Sequence, residues 1–166
     1  MTYSVRAADG NLIEVYDELC LKEPWLELIL IRIKTLETRT KCLFKEAREM
    51  VLASSLQIDQ WAWDHPHVGG LLDAAAKARA LAGLGKLRGL GGMSGFRPGV
   101  PGVDDNAARI SIALPDGKVR QMSEISNVQR LVPEPTVRVR PDGTLIAGAS
   151  QGIFKVPKTL VRIANV

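Results

Sequence analysis

The stretch whose reading decides the fold runs from Pro24 to Ser54, PWLELILIRIKTLETRTKCLFKEAREMVLAS. From Trp25 its apolar residues follow a 3.6-residue stripe: Trp25, Ile29, Ile33, Leu36, Leu43, Ala47 and Met50 with Val51, interrupted only by Thr40. Glu27, Lys34, Lys41, Lys45 and Arg48 fall on the other side, and Pro24 suits a first helical turn, where its missing N–H costs nothing. The spacing predicts one long amphipathic helix over 24–54. Leu28-Ile29-Leu30-Ile31 is apolar all round, however, and Ile29, Ile31 and Ile33 also alternate as in a strand. As a helix, this turn must be covered on several sides by the rest of the fold or by another subunit. That requirement points to homo-oligomerisation, with Trp25, Leu28, Leu30 and Ile31 as interface candidates.

Before this stretch, Asp9-Gly10 between two β-prone runs predicts an N-terminal hairpin, because both residues tolerate the positive φ of a tight turn. Asp116-Gly117 and Asp142-Gly143 repeat the device near the other end. After the stretch, residues 56–67 carry Trp61 and Trp63 and read as a short helix or turn anchoring a corner of the core. Gly70 to Ala82 reads as a shorter, Ala-rich helix.

Residues 83–102 hold eight glycines and two prolines, which makes a helix costly and a fixed loop entropically expensive. This segment is expected to be a flexible loop or a linker ordered against a neighbour, and its Phe96 joins the interface candidates. From Asn106 the pattern turns to short Val/Ile-rich runs at 109–114, 118–122, 136–140, 144–148, 152–156 and 159–164. They predict a small antiparallel barrel or sandwich. The expected fold is therefore α+β, in three parts: a hairpin and helical part at 1–82, a Gly/Pro-rich loop at 83–105, and a small basic β domain at 106–166. Residues 1–16 are placed to join that last part.

The chain has 166 residues, of which 46% are hydrophobic and 24% charged, a balance that excludes global disorder and collagen-like structure. No apolar run reaches the roughly 18 residues of a membrane span, since Glu27, Arg32 and Lys34 interrupt the greasiest stretch. The N-terminus lacks a signal-peptide core, so the expected location is cytoplasmic, or a virion if the source is viral. Cys20 and Cys42 read as reduced, core-packed thiols.

The net charge of +4 is uneven: residues 1–70 carry −3 and residues 107–166 carry +5. An anionic partner is therefore expected at the C-terminal part, with Arg138, Arg140, Lys155, Lys158 and Arg162 as nucleic-acid contacts. Aromatic platforms for stacking bases are missing there.

Asp59, Asp64, His65 and His67 form a metal-like cluster without the spacing of known zinc sites, so no metal is expected. Gly85-Lys86 matches no phosphate-loop pattern, and no Ser-His-acid order or carboxylate pair stands out, so neither cofactor nor catalysis is expected. The leading functional expectation is a non-catalytic assembly protein that associates with itself and with other subunits, of the kind found in a virion head, connector or tail. The alternative is an accessory protein holding a nucleic-acid backbone.

Overall fold

The Pro24–Ser54 stretch folds as a helix and two strands. A computed structural model of the chain describes residues 3–6, 9–104, 114, 116–132, 137–139, 145–147 and 153–158. In chain order the elements are β1 (Tyr3–Arg6), β2 (Leu12–Glu23), α1 (Trp25–Leu30), β3 (Leu36–Arg39), β4 (Arg48–Ile58), α2 (Gln60–Asp64), a 3₁₀ turn (Gly69–Leu71) and α3 (Ala74–Ala82). They continue with β5 (Leu87–Met93), β6 (Arg97–Pro98), β7 (Gln121–Arg130), β8 (Val137–Val139), β9 (Leu145–Ala147) and β10 (Ile153–Pro157).

Eight strands form one mixed sheet in the order β1-β2-β4-β5-β7-β3, with β10 also paired to β2 and β6 to β7. β2 and β4 run parallel, with Asp17 opposite Met50 and Leu21 opposite Ser54. A parallel pair needs a crossover. Residues 24–47 supply it, carrying α1 over the sheet and β3 to the far edge beside β7 before returning to β4.

This architecture corrects the expected one. Among the described residues the protein is a sheet with three short α-helices, the longest of nine residues, rather than a helical half followed by a small barrel or sandwich. The C-terminal strands belong to the same sheet: β7 lies between β5 and β3, and β10 pairs with β2. Among the described strands, β8 and β9 stand apart as an antiparallel pair. Its turn at Asp142-Gly143, like most of the strand candidates at 109–114 and 159–164, lies outside the described residues. The N-terminal hairpin forms, with Arg6 opposite Leu12, but residues 7–11 join its strands and the positive φ falls on Gly10, at +85°, without Asp9.

The long-helix reading fails because β4 is buried on both faces. Met50 and Leu52 pack with α1 in one apolar cluster, while Val51 and Ala53 pack with Leu87, Leu131 and Val156 in another. A strand covered on both sides reads as an unbroken apolar run, which a helical stripe fits equally well. α1 itself stops after six residues. Arg32 takes a left-handed φ of +65°, and the N–H groups of Ile33 and Lys34 both turn back onto the Leu28 carbonyl.

α1 is also sandwiched. Leu26, Ile29 and Leu30 face the sheet, whereas Leu28 packs with Ala62, Val68, Leu72 and Ala76 from the α2–α3 layer, flanked by half-buried Trp25 and Ile31. The all-round apolar turn is covered from within the chain. Caps define that layer, since Asp59 accepts the Ala62 N–H of α2 and Asp73 accepts the Ala76 N–H of α3. In α2 it is Ala62 that enters the core, while Trp61 faces solvent.

The expected loop at 83–102 contains a central strand. β5 pairs antiparallel with β4 on one edge and β7 on the other, which offsets the entropy its glycines lose. Close approach explains glycine at position 89, where a Cβ would stand 2.7 Å from a methyl of Leu30. α1 can therefore lie close over the strand. Phe96 is buried against Phe44, with ring centroids 5.0 Å apart.

Candidate functional site

Three elements bring charges into the interior where α1, β2 and β5 meet. Glu23 ends β2 and Glu27 follows one helical turn later, so both carboxylates lie on the same side of the strand–helix junction, and the Glu23 carboxylate accepts the Glu27 N–H at 3.0 Å. Arg88 on β5 reaches both: Nη1 donates to Glu23 at 2.8 Å and Nη2 to Glu27 at 2.9 Å. All three side chains are buried. The helical stripe had placed Glu27 toward solvent, and this is corrected with the helix itself.

Two further arginines complete the cluster. Arg79 Nε, from the last turn of α3, and Arg130 Nη2, from the end of β7, donate to the same Glu27 oxygen at 3.1 and 2.8 Å. Their side chains remain 47% and 32% exposed. The site thus seals its carboxylates inside and presents guanidinium groups to solvent. Such geometry suits holding an anion more than proton transfer, because neither carboxylate is open to a substrate. Chain separations of 52 to 103 residues hide the cluster from any local motif.

Burial pushes the Glu23 carboxyl above its ordinary 4.5, against the pull of Arg88 and the Glu27 N–H. Burial acts the same way on Glu27, but hydrogen bonds and charge from Arg130, Arg88 and Arg79 outweigh it and hold that group below 4.5. The two carboxylates therefore act on opposite sides of 4.5. Stability from Glu27 is present above this value and lost as pH falls beneath it. The Glu23 contribution is present below 4.5 and lost as pH rises above it. In urea unfolding followed across pH, Glu27→Gln is expected to flatten the acid limb, and Glu23→Gln to flatten the decline on the other side. Identical profiles for both variants and the parent would contradict this assignment.

The sequence-derived candidates fall elsewhere. Leu28, Leu30 and Phe96 are in the chain's own core, and Trp25 and Ile31 are half-buried, with the Trp25 indole N–H donating to Asp59 at 3.0 Å. Arg138 lies on β8 opposite Ile146, and Lys155 on β10 opposite Asp17. Lys158 holds its ammonium 4.6 Å over the Tyr16 ring, while Arg140 and Arg162 lie outside the described residues.

Asp59 is committed to its cap and to Trp25, and Asp64 accepts from Gln60. His65 and His67 lie beside exposed Trp61 with tilted rings, centroids 5.0 Å apart for Trp61–His65 and 5.8 Å for His65–His67. Among the described residues, no three His, Cys, Asp or Glu side chains converge as a metal site. Cys20 is buried as expected, but Cys42 is exposed rather than core-packed. No described helix is long and apolar enough to cross a membrane. No family model matches the chain, and no curated protein matches it.

Proposed function

We propose that the protein is a non-catalytic assembly component that associates with copies of itself. The observation that carries this reading is an apolar end of the sheet. β4 and β7 finish, and β5 begins, at the same end, because Ala53 pairs with Leu87 and Arg130 with Gly89. The α3–β5 turn lies there as well, with Leu56 over Gly85. Around this end Leu56 is 68% exposed, Leu81 48% and Val132 56%. Single exposed apolar residues are ordinary, but three large ones at one end of adjacent elements mark a surface suited to burial against protein.

This surface replaces the original grounds for oligomerisation, since α1 is covered internally and the glycine segment contains a paired strand. Light scattering behind size exclusion is expected to give a discrete multiple of the 18.1 kDa chain mass. Leu56→Glu with Val132→Glu is expected to reduce that mass to the monomer. A parent chain that stays monomeric at high concentration overturns the reading, as does an oligomer indifferent to both substitutions.

A further inference from the structure

We propose that Arg79 and Arg130 form a binding site for a dianionic phosphate group, carried by the free ion or by a phosphomonoester. Both guanidiniums are seated on one oxygen of a buried carboxylate, Glu27, so they are held side by side at the surface. Two like charges in that position repel, and one carboxylate offsets them incompletely. Glu27's other oxygen receives Arg88, which is shared with Glu23, so three arginines face two carboxylates and the cluster keeps a surplus of positive charge. Neutralising Glu27 does not call for two more cations. Their placement is explained by what they present outward.

Each arginine spends only one nitrogen on Glu27. Arg79 donates through Nε and Arg130 through Nη2. Among the described residues, Nη1 and Nη2 of Arg79 and Nε and Nη1 of Arg130 make no further hydrogen bond, and both side chains reach solvent. Two planar forks with several outward N–H groups match the many acceptor positions of a tetrahedral oxyanion, and the cluster's surplus positive charge favours its more highly charged form. The arginines come from a helix and a strand, and a buried network fixes their inner ends. An anion would therefore meet donors that are already ordered. Glu27 and Arg88 act as positioning residues and do not touch the ligand.

The test is calorimetric titration at constant ionic strength with three probes: inorganic phosphate, methyl phosphate and dimethyl phosphate. The first two are expected to bind saturably. The monoanionic diester, which stands in for a nucleic-acid backbone, is expected to bind at least about ten-fold more weakly. Arg79→Gln and Arg130→Gln should each weaken phosphate binding by about ten-fold or more. Arg97→Gln, whose parent side chain pairs with Asp104 away from this cluster, should leave it unchanged. Arg79→Lys guards against a folding defect, since it keeps the charge on an exposed helical position and should retain part of the affinity. Absence of saturable phosphate binding to the parent chain overturns the proposal. So does binding that survives both glutamine substitutions, or a diester bound as tightly as the dianions.

Discussion

Replacing Arg88 with methionine is expected to destabilise the fold by about 3–5 kcal/mol, the largest loss from any single exchange at this cluster. The side chain is 1% exposed and donates to two carboxylates that are fully buried. Removing it leaves Glu23 without its cation and Glu27 without one of three, in a region where water cannot replace the lost interactions. Methionine keeps most of the apolar volume, so the loss reports the stranded charges more than a cavity. Urea unfolding should show a lower midpoint with an unchanged slope. Arg88→Lys should recover only part of the stability, because an ammonium group lacks the fork that spans both carboxylates. Adding Glu23→Gln and Glu27→Gln to Arg88→Met should return much of the loss, since no unpaired buried charge then remains. A drop below about 1 kcal/mol for Arg88→Met would mean that the cluster is solvated in solution and not a buried network.

This cluster also marks the limit of what the sequence discloses. The Asp9-Gly10 hairpin and the Ala-rich helix were legible because their signals are local: a turn that needs positive φ at Gly10, and a run of alanines behind the Asp73 cap. Residues 48–58 were not, because Met50 to Ala53 are buried on both faces and carry no alternation to distinguish strand from helix. Gly83 to Gly102 misled for a related reason. Glycine at position 89 records that Leu30 of α1 lies against the strand, a tertiary fact that composition reads as flexibility.

The expected strand at 118–122 reaches only the start of β7, because the strand's sequence QMSEISNVQR is mostly polar and only Met122, Ser123, Ile125 and Val128 turn inward. Glu23, Glu27 and Arg88 look like ordinary surface charges in a linear reading. Their burial depends on strands and helices meeting across more than sixty residues, and no periodicity reports that. The cover that Leu28 needs comes from Ala62, Val68, Leu72 and Ala76, and no local pattern in the sequence reports that packing. The expected small barrel or sandwich gives way to a larger sheet, since β10 and β7 pair within it.

The second large effect is at Gly83, and its sign depends on Arg88. Gly83 has φ −88° and ψ −1°, a backbone any residue adopts, so its glycine is not explained by conformation. It is explained by crowding: a Cβ there would stand 2.2 Å from Arg88 Nε, 2.5 Å from Cδ and 2.8 Å from Cζ. Those atoms belong to a side chain fixed at its far end by two carboxylates, so Arg88 cannot move aside without releasing them. Gly83→Ala is therefore expected to destabilise the parent protein by about 2–3 kcal/mol, through overpacking and disruption of the ion pairs. In an Arg88→Ala background the obstructing atoms are gone. The same Gly83→Ala change is then expected to be neutral or to stabilise by up to about 1 kcal/mol, because alanine restricts the unfolded chain more than glycine does. The difference between the two backgrounds is a coupling energy measurable by a double-mutant cycle of urea unfolding curves. Strictly additive losses would show that Gly83 is required for some reason other than passage of Arg88, and would separate the helix-to-strand turn from the buried charge network.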